Sequence, residues 1–208
     1  VEDSMQKKIK FPKLNKRYLS IPFDTPNFLL NKFTVSAFNN LYFLIKSQKS
    51  KISVVDWDNY FFQLDSIKNW NKIYGKEGFF QFQSVLPEKV SKEGYKQILN
   101  IISNESTDPF SGPFLAVLKK FGQGNGRFSF PENGFTLALD FKATQKNLKI
   151  SRMLSKVVSD FEGKVYLAKD ATIDSNQFLK MINQREIRAF SEHRSNSFSS
   201  ELSKRLGI

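Results

Sequence analysis

The chain has 208 residues, a formal net charge of +12 and 40% hydrophobic residues, with no cysteine and one histidine, His193. Without cysteine it has no disulfide, thiolate metal site or thiol nucleophile, and a single histidine argues against zinc clusters and hydrolytic triads. The longest apolar run, LYFLI at 41–45, is shorter than the roughly 18 residues of a membrane span. The positive charge suits nucleic acid, anionic lipid or phosphorylated substrates, or it reflects a genome whose composition favours lysine.

The first third of the chain is the less regular part. Residues 1–30 contain Pro12, Pro22 and Pro26 in a basic context, which indicates an arm lying over the rest of the protein. FTVSAFNNLYFLIK at 33–46 has the apolar period of a helix, and KISVV at 51–55 favours a strand. The aromatic segment 55–75 predicts a loop followed by a short helix that ends at Gly75.

From residue 78 onward strands and helices alternate clearly. GFFQFQSVL at 78–86, GPFLAVLKKFG at 112–122, GFTLALDFK at 134–142 and KVYLA at 164–168 favour strands. Pro87 and Glu88 open one helix, and Thr144 caps a second, which Gly163 is expected to stop. Residues 174–206 predict short helices. The apolar faces of the two long helices comprise Val90, Tyr95, Ile98, Leu99 and Ile102, and Leu148, Ile150, Leu154, Val157, Val158 and Phe161.

The element order β-α-β-β-α-β predicts an α+β fold. Its expected form is a split β-α-β, ferredoxin-like antiparallel sheet with both helices packed on one face and additional helical flanks. The other face of such a sheet is then covered by something else or faces a ligand. Because side chains alternate along a strand, this open face collects Gln81, Gln83, Lys119, Thr136 and Lys169. Amide, hydroxyl and ammonium groups on a sheet suit a sugar or phosphate, and they equally suit ordinary contact with solvent.

Two short motifs partly match signatures of other binding functions, but the structural context that those signatures require is missing. GQGNGR at 122–127 is similar to a phosphate-binding loop, but no Lys-Ser/Thr and no helix follow it. It is better explained as a hairpin connection. KEGFFQFQ at 76–83 partly matches an RNA-recognition signature, but Gln81 and Gln83 interrupt the aromatic spacing and the segment is the first strand of its unit.

Several longer segments resemble a known family. They are LDSIKNWNKIYGKEGFFQFQSVLPE (64–88), VLKKFG (117–122), SFPENGFTLALDF (129–141), VYLAKD (165–170) and SFSSELSKRLGI (197–208). In order and spacing they resemble the C-terminal substrate domain of the decaprenylphosphoryl-β-D-ribose 2′-oxidase-like enzymes, which are FAD-linked oxidoreductases of the vanillyl-alcohol-oxidase type. The resemblance runs from about residue 20 to the C-terminus. It implies that the arm at 1–30 leads into a substrate domain at 31–208, with the FAD-binding domain absent from this chain.

The resemblance also implies roles for individual residues. Gln81 and Gln83 match the glutamines of the substrate pocket, Lys119 matches its lysine and Phe121 its aromatic wall. Tyr166 matches a tyrosine lying against the flavin, and Lys169 matches a lysine near the flavin pyrimidine edge and the substrate, which makes Lys169 the candidate catalytic residue. For both Tyr166 and Lys169 to reach the flavin, the chain must leave strand geometry near Ala168.

The sequence departs from the family at four positions. Ala138 replaces a cysteine and Thr136 an asparagine of the substrate pocket. A thiol is therefore not needed for the redox step, and the change at Thr136 leaves the sugar specificity open. Phe62 and Gln63 replace a histidine and a proline on the side of the lipid tail.

The implied activity is oxidation of a sugar secondary alcohol to a ketone, the substrate being a polyprenyl-phosphoribose 2′-OH. The hydride passes to flavin N5, and the FAD is held mainly by the other domain, so the chain alone is expected to be inactive. The implied partners are that FAD-binding domain, an epimerising reductase and a membrane surface bound peripherally, with no nucleic acid, in the bacterial cytoplasm or periplasm. The alternative from composition is a basic α+β module that binds RNA or anionic lipid surfaces.

Overall fold

A computed structural model describes residues 19–26, 28–47, 57, 62–126, 128–194 and 198–208 of the chain. The strand predicted at 51–55 and most of the arm predicted at 1–30 lie outside these residues. Within them, the element order from residue 79 onward is the one that the hydrophobic pattern predicts.

The central unit is a four-stranded sheet with two long helices. Its elements in chain order are β3 (Phe79–Pro87), α2 (Glu88–Glu105), β4 (Pro113–Phe121), β5 (Gly134–Lys142), α3 (Gln145–Asp160) and β6 (Lys164–Val165). The strands lie in the spatial order β4-β5-β3-β6, and every neighbouring pair is antiparallel. The α+β prediction is therefore confirmed.

One face of this sheet packs against both helices and forms the core. Phe82 and Leu86 of β3 point toward the helices, as do Leu139 and Phe141 of β5. The helices contribute Tyr95, Ile98, Leu154 and Val158, all of which are buried. The sequence predicts that Leu99 faces inward, but it is 55% exposed. The buried stripe of α2 runs through Gly94, Tyr95 and Ile98, and Leu99 lies about 100° around the helix from Ile98.

The sequence predicts the start of α3 better than its end. The backbone N–H of Asn147 donates to the Thr144 side chain at 3.2 Å, which confirms the predicted N-cap of α3. The helix ends before Gly163, however, and Glu162 takes the left-handed conformation with φ 55°. Gly163 is required for a different reason: a Cβ there would collide with Leu86 and with the Val85 carbonyl.

The last strand is shorter than the sequence suggests. β6 covers only Lys164–Val165, and the predicted continuation is a 3-10 turn at Leu167–Lys169. Three short helices follow, as predicted: α4 (Ser175–Met181), α5 (Gln184–His193) and α6 (Glu201–Leu206).

The segment before β3 forms a layer beside the sheet. Strand β1 (Leu19–Ser20) pairs in parallel with β2 (Ile67–Lys68). Two 3-10 helices, Gln63–Ser66 and Trp70–Tyr74, account for the predicted short helix, and the second ends at Gly75 with φ 69°. The Tyr74 and Phe79 rings stack at 4.5 Å and join this layer to the sheet.

Helix α1 (Lys32–Ser47) is the predicted helix at 33–46, and none of its residues is buried. It is attached at its start, where the Lys32 backbone N–H donates to the Pro109 carbonyl at 2.9 Å and the Lys32 ammonium group donates to the Ser106 carbonyl. Its remaining apolar side chains are largely exposed, among them Phe38, Leu41, Phe43 and Leu44. Such a continuous exposed apolar surface is typical of an interaction site.

Candidate functional site

The open face of the sheet brings most of the predicted site residues together. Gln81 lies opposite Asp140 and Gln83 opposite Ala138 in the β3–β5 pair. Lys119 lies opposite Thr136 in the β4–β5 pair. Because directly opposed residues of neighbouring strands share a face, these side chains project to the side away from α2 and α3.

A chain of hydrogen bonds crosses this face. The Lys169 ammonium group donates to Gln83 Oε1 at 3.0 Å, and Gln83 Nε2 donates to Thr136 Oγ1 at 3.2 Å. The Thr136 hydroxyl in turn donates to the Ser84 carbonyl at 2.9 Å. Both ends of the Gln83 amide are therefore occupied, and its orientation is fixed with the carbonyl toward Lys169. Thr136 is only 1% exposed, so it acts on the site through Gln83.

Lys169 reaches Gln83 because the chain turns directly after β6. The Tyr166 N–H still donates to the Gln83 carbonyl at 2.8 Å, and the Lys169 N–H then closes a 3-10 turn on the Tyr166 carbonyl at 3.0 Å. The Lys169 ammonium group lies 5.8 Å from the centre of the Tyr166 ring. The turn thus places both residues on the same side, as their predicted roles require, although it begins before Ala168.

An ion pair between a half-buried arginine and a buried carboxylate stabilises this turn. Arg205 Nη1 of α6 lies 2.8 Å from Asp170 Oδ2, and the Asp170 side chain is 1% exposed. Asp170 Oδ1 also accepts from the backbone N–H groups of Thr172 at 2.8 Å and Ile173 at 3.0 Å. Asp170 therefore both pairs with a cation and caps the following turn.

Three aromatic rings form a wall at one end of the face. Phe121 meets Phe130 edge-on at 6.0 Å, and Phe130 stacks on Tyr166 at 4.7 Å. The predicted Phe121 and Tyr166 are therefore linked by Phe130, which sequence reasoning missed. Phe130 lies in the irregular connection before β5, where periodicity gives no signal; an isolated aromatic residue beside Pro131 was the available hint.

A second polar cluster, which the sequence did not predict, lies toward the other end. Asp140 is 1% exposed; it accepts hydrogen bonds from Gln81 Nε2 and, at 3.3 Å, from the Tyr74 hydroxyl. Burial raises the pKa of Asp140, although these hydrogen bonds and the charge of Lys169 oppose the change. Burial, followed by the charge of Asp140, also raises the pKa of Tyr74. With its amide nitrogen engaged by Asp140, Gln81 presents its carbonyl oxygen as an acceptor.

Lys119 completes the site at the sheet edge. It is exposed, and its ammonium group bonds to no residue that the structure describes. The face therefore offers donors at Lys119 and Lys169, an acceptor at Gln81 and an aromatic wall. This set suits a hydroxylated ligand that carries negative charge.

The aromatic and cationic end of the face also suits a flavin. Tyr166 and Phe130 offer aromatic surface to a planar ring system. The Lys169 ammonium group has donors beyond its bond to Gln83, which suit negative charge at a pyrimidine edge. The residues present fit the cofactor that the sequence resemblance implies.

Comparison with known proteins supports a family relation. No protein-family profile matches the chain. The decaprenylphosphoryl-β-D-ribose oxidase of Mycolicibacterium smegmatis is 33% identical over 164 residues, which make up 78% of this chain and 34% of that protein. The chain is thus related to an oxidase family and spans about a third of the length of that relative. Of the helices that the structure describes, none is long and apolar enough to cross a membrane.

Proposed function

We propose that the chain is the substrate domain of an FAD-dependent oxidoreductase that oxidises a secondary hydroxyl of a polyprenyl-phosphate-linked sugar to a ketone. The observation that carries this proposal is the bonded series Lys169–Gln83–Thr136 beside the Tyr166 ring. It places a cation and an aromatic ring together on the open face. The related oxidase supports the reaction class.

In this proposal the two ends of the face have different partners. Tyr166, Phe130 and Lys169 would hold the isoalloxazine ring of an FAD bound mainly by another domain. That group would supply the acceptor for the hydride of the carbinol carbon, while a base takes the hydroxyl proton. Lys169 stabilises negative charge on the ring because its ammonium group acts at short range in a site from which the bound ligands exclude water.

The substrate occupies the polar middle of the face. The Gln81 carbonyl accepts a hydrogen bond from a sugar hydroxyl, Lys119 binds the phosphate, and Phe121 packs against the sugar ring. Gln83 orients Lys169, and Ala138 leaves space above the middle of the sheet. The replacement of asparagine by Thr136 alters the support of Gln83, so its effect on sugar specificity is indirect.

Further partners follow from the same proposal. The ketone product requires a reductase to give an epimerised sugar. A lipid-linked substrate places the enzyme at a membrane surface, to which the exposed aromatic side of α1, a helix without acidic residues, is suited.

Replacement of Lys169 in the full-length protein tests the proposed role. We expect Lys169→Ala to slow flavin reduction by a polyprenyl-phosphoribose about 10²–10³-fold, the usual effect of removing one charge-stabilising donor. The measurement is anaerobic stopped-flow bleaching of the flavin absorbance. Lys180→Ala, at an exposed position on α4, is the matched control and should reduce its flavin normally. Near-normal reduction in Lys169→Ala would remove Lys169 from the mechanism.

A further inference from the structure

We infer that the groove between α1 and the edge of the sheet binds the hydrocarbon tail of the substrate. This inference rests on the proposed function, because it assumes an amphiphilic substrate whose polar head lies on the open sheet face. It adds a binding site for the tail that is separate from the residues around Lys169.

The groove has the size and lining of a hydrocarbon site. It encloses about 390 Å³. Its walls include Val35 and Phe38 of α1, Trp70, Ile73 and Tyr74 of the second 3-10 helix, and Leu115 of β4. Such a mainly apolar lining removes an alkyl chain from contact with water.

The two hydroxyl groups among the lining residues are already bonded, and Asn39, which also lines the groove, is exposed. The Thr34 hydroxyl donates to the Leu29 carbonyl at 2.6 Å, and the Tyr74 hydroxyl donates to Asp140. A peptide strand in this groove would need partners for its backbone N–H and C=O groups. A hydrocarbon needs none, and this difference favours a lipid tail over a protein segment.

The groove continues directly into the polar site. Leu115 lies opposite Asp140 in the sheet, and Tyr74 bonds to the same carboxylate. Leu115, Val117 and Lys119 follow one another on the open face of β4. At about 3.3 Å per residue, Lys119 lies roughly 13 Å from Leu115. A phosphate bound at Lys119 therefore leaves its tail to run over Val117 and Leu115 into the groove.

Prenyl phosphates of different length test this path in the 208-residue chain. The two tryptophans are Trp57 and Trp70, so Trp57→Phe leaves Trp70 as a fluorescent reporter in the groove wall. We expect farnesyl phosphate, titrated below its micelle concentration, to change Trp70 emission saturably and to bind at least tenfold more tightly than dimethylallyl phosphate. Each CH₂ group removed from water accounts for about a fourfold gain.

A matched pair of variants on α1 locates the tail. Val35→Phe fills the groove, whereas Leu44→Phe adds bulk on the opposite side of the same helix, where Leu44 is 57% exposed. We expect Val35→Phe to weaken farnesyl phosphate binding at least tenfold and Leu44→Phe to leave it unchanged. Val35→Thr, which keeps the side-chain volume and adds a hydroxyl, should weaken it severalfold. Unchanged cooperative unfolding of each variant shows that the fold is retained.

Two results would overturn the inference: equal affinity for the long and short prenyl phosphates, or equal weakening by Val35→Phe and Leu44→Phe. The outcome is independent of the redox proposal. Normal flavin reduction in Lys169→Ala together with length-dependent binding would reject the role of Lys169 and retain the groove. Impaired reduction without length dependence would retain Lys169 and place the tail elsewhere.

Discussion

At the scale of single residues, the site depends on groups whose partners are far away in the sequence. Strand alternation was sufficient to place Gln81, Gln83, Lys119 and Thr136 on one face, because that inference needs only the period of a strand. It gave no role to Asp140 and did not find Tyr74, which is 66 positions earlier in the chain. This contact between distant residues forms when the layer before β3 packs against the sheet, and the local sequence pattern does not predict it.

Asp140 should make stability depend on pH. Its folded-state pKa is raised above 3.8 by burial, so the folded protein binds the proton more tightly than the unfolded chain does. The free energy of unfolding contributed by this group therefore falls as pH rises through and above 3.8. We expect the free energy of unfolding of Asp140→Asn, relative to that of the wild type, to increase between about pH 4 and pH 8 in denaturant titrations.

Asp108 provides the matched control. A hydrogen bond from Lys146 lowers the pKa of Asp108 to about 2, so its stabilising contribution is present above 3.8, is lost only as pH falls toward 2, and is constant over the range measured. Asp108→Asn should therefore differ from the wild type by a constant amount. A constant difference for Asp140→Asn as well would contradict the raised pKa.

At the scale of elements, order was easier to predict than length. The β-α-β-β-α-β series follows from hydrophobic period and turn residues. The short length of β6 does not follow from this pattern, because Tyr166 and Leu167 are residues that favour strands. The turn that replaces the end of the strand is stabilised by Arg205, more than thirty positions later. The end of α3 was assigned to Gly163 for a conformational reason, whereas close packing on Leu86 is what requires glycine there.

The contact between α6 and the Lys169 turn should contribute measurably to stability. Arg205→Met leaves the buried Asp170 carboxylate without its cation, and we expect a loss of roughly 1.5–3 kcal/mol in the free energy of unfolding, the range for hydrogen bonds to charged groups. Chemical denaturation measures it. Among the residues that the structure describes, the neighbouring Lys204 pairs only with the exposed Glu201, so Lys204→Met should cost less than about 1 kcal/mol. Equal losses in the two variants would show that Arg205 does not support the turn.

At the scale of the whole molecule, the buried apolar cluster and the layer that precedes β3 are formed by different parts of the chain. All residues of the buried apolar cluster, together with the half-buried residues packed on it, lie between Phe80 and Ile208. The layer before Glu77 contributes the groove wall, Tyr74 and α1, but no member of that cluster. The groove that we assign to the lipid tail therefore takes most of its lining from the layer outside that cluster, and strand β4 contributes Leu115.

A shortened chain should retain cooperative folding. We expect residues 77–208 to unfold in a single thermal transition at a lower Tm than the full chain, since the Tyr74–Phe79 stack, worth about 0.5–1.5 kcal/mol, is lost. Residues 1–133 lack β5, α3 and β6 and should show no cooperative transition. Circular dichroism on heating distinguishes the two. Absence of a transition in residues 77–208 would show that the preceding layer is part of the core.

Lys119 and its neighbour Lys120 have a second role, because β4 lies at the edge of the sheet. One side of this nine-residue strand has no partner among the described residues, and it exposes Val117 and Leu118. Lysines on such a strand oppose edge-to-edge association between molecules. A variant that neutralises Lys119 to test phosphate binding therefore also removes a protection against aggregation. Its sedimentation behaviour should be compared with that of the wild type before a loss of affinity is attributed to the missing charge.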